Sequence, residues 1–344
     1  MNVADIKHKI RNSSEYEFLN ENEHLNNRIM LLGLGGSYAY GTNVEGSDID
    51  IRGIAANSRR EILLGKDFEQ VVDENTDTVV YSFRKIVNLL MSCNPNTIEM
   101  LGLKNEHYIY KSRMGEVLLR NKDAFLSKRA INSFGGYANS QLRRLTNKSA
   151  RSIDQSETER NILRSIETAR YSFPEKYFKY PEDSIKLYTD KAVQDGLDTE
   201  IFMDIKLKHY PLRDYRAMWS EMNNIVRDYN KLGKRNANAI EHNKLGKHMM
   251  HLVRLYLMCF DILEKGEINT YREKERDWLL DIRGGKYLTE DKKPTQEFMD
   301  IVAELENKLA VLGEKTSLPD KPDIDRINNI VAEINASVVE GWYY

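Results

Sequence analysis

The sequence predicts an α+β protein: a small mixed β-sheet core with helices, followed by a larger all-helical domain. Three observations carry this. Between residues 28 and 110, short β-type runs alternate with glycines. Beyond about residue 115, apolar residues recur at helical spacing almost without interruption. The 344 residues, 41% hydrophobic and 30% charged, suit about two globular domains and exclude a disordered or collagen-like chain. The division is expected at 1–115 and 116–344.

In chain order, strands are expected at 29–34, 49–55, 70–73, 78–81 and 108–110. A helix over 83–91 follows the fourth, with Phe83, Ile86, Val87, Leu89 and Leu90 as its apolar positions. Helices are then expected at 128–145, 157–171, 215–229, 237–263, 273–282, 295–312 and 323–334. Pro174, Pro181, Pro211, Pro294, Pro319 and Pro322 fall between them as breakers.

The balance of 51 basic against 53 acidic residues, net −2, excludes a globally basic coat protein but not a local basic patch. The two cysteines, Cys93 and Cys259, lie far apart and outside any CxxC setting. That argues against a disulfide framework or structural zinc and for a reducing cytoplasm. The first 27 residues lack an apolar signal region, and no apolar run approaches the roughly 18 residues of a membrane span, so no membrane partner is expected.

The chemistry concentrates in Leu32-Gly33-Leu34-Gly35-Gly36-Ser37-Tyr38-Ala39-Tyr40-Gly41-Thr42 and Ser47-Asp48-Ile49-Asp50-Ile51-Arg52-Gly53. The first is a strand entering a Gly-Gly-Ser turn, where free N–H groups and a hydroxyl can nest an anion. In the second, period-two alternation predicts that Asp48 and Asp50 share a face, with Ile49 and Ile51 packed on the other. Adjacent carboxylates repel unless a cation lies between them, and oxygen-only ligands of this kind suit Mg²⁺ or Mn²⁺ held together with substrate phosphates. Alone, Gly-Gly-Ser is a common turn and Asp-x-Asp a solvated strand edge; together and in this order they read as a nucleoside triphosphate site. The pattern is neither a Walker A loop, since no Gly-Lys-Ser/Thr follows, nor a dinucleotide-binding turn.

Gly36-Ser37 followed by Asp48-x-Asp50 resembles the signature of the DNA polymerase β-type nucleotidyltransferase superfamily. Asp77 before Val79-Val80-Tyr81-Ser82, Asn94-Pro95-Asn96 with Glu99, Phe134-Gly135-Gly136-Tyr137, Lys247-His248 and Ile282-Arg283-Gly284-Gly285 are similar to its RNA-ligase-associated branch. The resemblance implies a metal-dependent nucleotidyltransferase catalytic domain over 1–115 and a helical domain, 116–344, closing over nucleotide and acceptor. It also implies ATP as the first-choice triphosphate, RNA as an acceptor and an RNA ligase as a partner. A third carboxylate would complete the metal site and help deprotonate the attacking hydroxyl. Asp77 is the choice here, with Asp73 and Glu69 as alternatives. Gly36 and Ser37 would bind phosphate oxygens, and Arg52 would pair with a carboxylate or a phosphate.

In the helical half, Lys244, Lys247, His248, His251 and Arg254 fall within an arc of about 120°. The rest of that helix is apolar, so the stripe is expected to line a groove and bind nucleotide; a solvated basic face is the alternative. Lys128, Arg129, Arg143, Arg144, Lys148 and Arg151 form an acid-free basic stretch suited to nucleic-acid phosphates.

Overall fold

The computed structural model describes residues 1–149, 155–193, 198–241, 245–290 and 293–341, with side chains left aside at 139–140, 142–149, 155–158 and 228–241. The expected mixed sheet is formed by β1 (Ile29–Leu34), β2 (Ile51–Ala55), β3 (Gln70–Asp73), β4 (Thr78–Ser82) and β5 (Tyr108–Lys111), in the spatial order β3-β4-β2-β1-β5. β1 runs antiparallel to β2 and β5, β2 parallel to β4, and β3 antiparallel to β4.

Side-chain alternation divides the sheet into two faces. Leu32, Leu34, Ile51, Ala55 and Val80 join Ile6, Ile10, Tyr16 and Leu19 in one core, with Ile49 packed against it. Those partners come from α1 (Val3–Asn12), α2 (Phe18–Glu21) and the short turn between them. α1 is held at its start by a capping box between Asn2 and Asp5. The opposite face carries the buried Leu31 and Ile54 together with Arg52 and Tyr81, so only the part around Arg52 is left for polar chemistry.

The helices of this part are α3 (Gly36–Tyr40), α4 (Arg59–Leu64), α5 (Phe83–Met91), α6 (Pro95–Ile98) and α7 (Arg113–Arg120). α5 is the helix expected at 83–91; Ser82 caps it, and Phe83, Ile86, Val87 and Leu90 are buried. Then follow α8 (Arg129–Ser149), α9 (Gln155–Arg170), α10 (Phe173–Lys176), α11 (Leu212–Glu241), α12 (Leu245–Lys265), α13 (Arg276–Gly284), α14 (Gln296–Lys315) and α15 (Ile324–Val339). The helix expected at 237–263 falls on α11 up to Glu241 and on α12 from Leu245, with 242–244 outside the described residues. No helix among the described residues is long and apolar enough to cross a membrane. Both cysteines are buried free thiols.

The chain forms two compact units. One comprises Met1–Gln141, Lys247–Tyr287 and Gln296–Tyr344; the other comprises Leu142–Gly246 and Leu288–Thr295. The 115/116 division therefore lies inside the first unit, because later segments return to it. Lys128 N donates to Pro319 O at 2.9 Å, Asp323 N to Ala124 O at 2.9 Å, and Arg272 N to Tyr40 O at 3.1 Å. Arg272 is itself buried and paired with Asp261 of α12 at 2.7 Å.

The second unit is not all helical. β6 (Ile185–Lys191) and β7 (Thr199–Ile205) make an antiparallel hairpin. Ile185, Leu187 and Ile201 alternate toward a core with Ile162 and Ile166 of α9 and Met218 and Met222 of α11. A two-stranded ribbon is marginal alone, and this core supplies the apolar cover it needs.

Candidate active site

The strand expected from residue 49 begins at Ile51, so Asp48 and Asp50 precede β2 rather than lie in it. β1 has by then turned away: its last paired residue, Leu34, faces Ile51. Asp50 keeps one strand-like bond, its carbonyl accepting from Gly35 N at 2.8 Å. Gly36, at φ 51°, makes room for the Asp50 carboxylate. A Cβ at position 36 would lie 1.8 Å from Asp50 Oδ2, so the second glycine of the Gly-Gly-Ser turn is required by the carboxylate itself. Ser37 is buried at the start of α3, and its carbonyl accepts from Thr42 N at 2.9 Å.

The parallel register of Ile51 with Thr78 puts Asp50 beside Asp77, the last residue of the turn that leads into β4. Asp77 holds φ 45°, a conformation uncommon for a residue with a side chain. Its carbonyl accepts from Ile51 N at 3.1 Å and from Arg52 Nη1 at 2.7 Å. Arg52 Nη2 lies 3.6 Å from Asp50 Oδ1 and 3.3 Å from Asp77 Oδ1, so Arg52 bridges the two carboxylates. Burial pushes the Asp50 carboxyl up to about 6, reinforced by its hydrogen bond with Asp77 and the charge there; Arg52 and Lys247 pull it partly back. The alternative third carboxylates are engaged elsewhere. Asp73 Oδ1 accepts from Thr76 N and Thr76 Oγ1 at 2.9 and 2.8 Å, and Glu69 pairs with Lys85 at 2.5 Å.

Asp48 is exposed and follows a closed turn in which Ser47 N donates to Val44 O and Val44 N to Ser47 Oγ. α13 reaches this loop. Arg276 Nε donates to Gly41 O at 2.8 Å, Arg283 Nη1 to Thr42 O at 2.5 Å and Arg283 Nη2 to Ser47 Oγ at 3.4 Å. Burial lowers the Arg283 pKa, and the charge of Asp48 raises it.

α12 brings a second cluster. Lys247 is exposed and its charge acts on Asp50. Arg254 is buried, with its guanidinium carbon 3.3 Å from the Tyr40 ring centroid, and its Nη2 donates to His251 Nδ1 at 2.8 Å. His251 meets the Tyr137 ring edge-on at 5.7 Å, and His248 is half-buried on the same helix. The Tyr40 hydroxyl donates to Glu99 Oε2. Burial raises the Glu99 carboxyl, while Arg254, the Tyr40 hydroxyl and Arg52 oppose the rise. Glu99 belongs to the words that carry the resemblance, but its pairing with Tyr40 across 59 positions has no local signature.

The basic stretch at 128–151 is anchored where it begins. Lys128 pairs with Asp320 at 2.9 Å, and Arg129 Nη1 donates to Met91 O at 3.0 Å. The side chains of Arg143, Arg144 and Lys148, and the whole of Arg151 and Lys244, lie outside the described residues.

The largely buried Asp50 and the more exposed Asp77 form an oxygen-only pair whose mutual repulsion a hard divalent cation would relieve, so the donor set fits Mg²⁺ or Mn²⁺. No ready-made cluster of three or more metal-binding side chains occurs among the described residues. Asp48 stands on its own loop, and a third donor therefore depends on how that loop is held.

Residues 10–170 match the family described as RNA repair pathway DNA polymerase beta family. That match, over a little less than half of the chain, supports nucleotidyl transfer of the polymerase β type as its chemistry. It is also similar to an uncharacterized 38.9 kDa protein of Enterobacteria phage T4, from the nrdC–mobD intergenic region. The two are 23% identical over 322 residues, which is 84% of this chain and 91% of the relative. No solved structure matches the chain.

Proposed function

We propose that this nucleotidyltransferase moves a nucleoside monophosphate from a triphosphate, ATP in the first instance, to a hydroxyl at an RNA end and releases pyrophosphate. The observation that carries the reading is the Asp50–Asp77 pair seated against Gly36, with the charges of Arg52 and Lys247 on it. Asp48, Asp50 and Asp77 would hold Mg²⁺ or Mn²⁺, which when bound supplies charge neutralisation on the phosphate oxygens. Lys247, exposed beside the pair, would meet the triphosphate. Asp77, with its side chain 55% exposed against 20% for Asp50, would accept the proton of the attacking hydroxyl. That oxygen then bonds to the α-phosphorus as the bond to the β-phosphate bridge breaks, and pyrophosphate leaves with the electron pair. Arg254, stacked on Tyr40, would act as an internal strut that keeps α12 and its Lys247 in place.

The RNA acceptor is supported by the family's description as part of an RNA repair pathway. A ligase partner rests on the same resemblance. The test incubates the protein with Mg²⁺, each labelled triphosphate in turn and a pool of small RNAs. The expected result is lengthened RNA that disappears in Asp48→Ala and Asp50→Ala proteins. Label on a polypeptide instead of RNA would move the acceptor to protein, and triphosphate binding without pyrophosphate release would make the site a binding module.

A further inference from the structure

Asp48 follows a stretch of irregular backbone between α3 and β2, punctuated by Gly41 at φ 74° and Gly46 at φ 77°. A metal ligand must be held to within about half an ångström, and such a loop does not hold itself. Its support comes from the far end of the sequence. Arg276 and Arg283 stand seven residues apart on α13, two helical turns, and therefore share a face. That face grips the loop at three points, Gly41 O, Thr42 O and Ser47 Oγ. Ser47 Oγ also accepts from Val44 N at 2.9 Å, so Arg283 secures the turn at the residue immediately before Asp48. All of these residues belong to the first unit.

We infer that Arg283 is a positioning residue that holds the 44–47 turn and thereby presents Asp48 to the metal site beside Asp50 and Asp77. This rests on the nucleotidyltransferase reading above and adds to it a requirement for α13. Arg283 acts through two directed hydrogen bonds, not through its charge. A positive charge near Asp48 by itself opposes cation binding. The two roles thus predict opposite outcomes when the charge is removed.

The test is a Mn²⁺ titration followed by electron paramagnetic resonance, without nucleotide, on the full chain and its Arg283→Gln, Arg283→Lys and Asp48→Asn variants. Positioning predicts that both Arg283 variants raise the Mn²⁺ Kd roughly 10- to 100-fold, as expected on loss of a residue that orients a ligand, and approach Asp48→Asn. Circular dichroism melting should stay close to wild type. If Arg283→Gln fails to fold, Arg283→Lys carries the test, since it keeps the charge but cannot make both bonds. Unchanged or tighter Mn²⁺ binding in Arg283→Gln, or unchanged binding in Arg283→Lys, overturns the inference alone. A wild-type protein that binds no Mn²⁺ overturns the functional reading, and the inference with it.

Discussion

Replacing Asp50 by Asn should make the metal-free protein more stable at neutral pH, although it destroys the site. Folding raises the Asp50 carboxyl from an ordinary 3.8 to about 6, chiefly by burial and then by Asp77. As pH rises, the unfolded chain therefore loses this proton first. Stability drains away between about pH 4 and pH 6 and does not return above it. Two pKa units correspond to about 3 kcal/mol at most. The Asp50 side chain is 20% exposed and solvent screens it, so about 1–2 kcal/mol is the sounder expectation. Asn keeps the shape that packs on Gly36 but cannot ionise. The assay is urea unfolding of both proteins in chelator from pH 4 to pH 7.5. The gap between variant and wild type should widen in favour of Asn by about 1–2 kcal/mol, or roughly 2–6 °C in Tm, between the two ends. Mg²⁺ should then stabilise wild type more than the variant. Parallel pH profiles for the two proteins, or equal stabilisation by Mg²⁺, would refute the reasoning.

Gly36→Ala places a methyl 1.8 Å from Asp50 Oδ2 in a left-handed backbone conformation. It should abolish transfer and cost about 1–3 kcal/mol, read by activity and by denaturant midpoint. Arg272→Met leaves Asp261 with Lys265 as its remaining partner at 2.7 Å and should destabilise by about 1–3 kcal/mol, measured by urea unfolding. Lys247→Ala should raise the triphosphate KM about tenfold while leaving the melting temperature near wild type, because Lys247 is exposed and acts on charge.

What the sequence makes legible is local. Gly36 and the Asp48-x-Asp50 spacing mark the site because glycine turns and alternating strands write their geometry into adjacent residues. The strands at 29–34 and 70–73 follow their expected bounds for the same reason. Asp77 opens a β-type run in the sequence, and the parallel register of β2 with β4 puts it beside Asp50. Its neighbourhood is a product of strand order, which no single segment encodes. The grip of Arg283 on Thr42 and Ser47 spans 236 residues or more and leaves no periodic trace. Glu99 and Tyr40 are hidden in the same way. The β6–β7 hairpin is different: Ile185, Leu187, Ile201 and Met203 do alternate, but so short a ribbon lies between long segments of helical periodicity, α9 and α11, that dominate the pattern. The expected 115/116 division follows a change of composition, whereas packing brings 247–287 and 296–344 back to the first unit.

The most direct test of nucleotidyl transfer follows the two ends of the triphosphate separately. With α-³²P-ATP, Mg²⁺ and an RNA acceptor, label should move to the RNA, and with γ-³²P-ATP it should appear only in pyrophosphate. Asp48→Ala and Asp50→Ala should stop both. Transfer of the γ-label to the acceptor, or its release as free phosphate with the α-label left on ADP, would contradict the account.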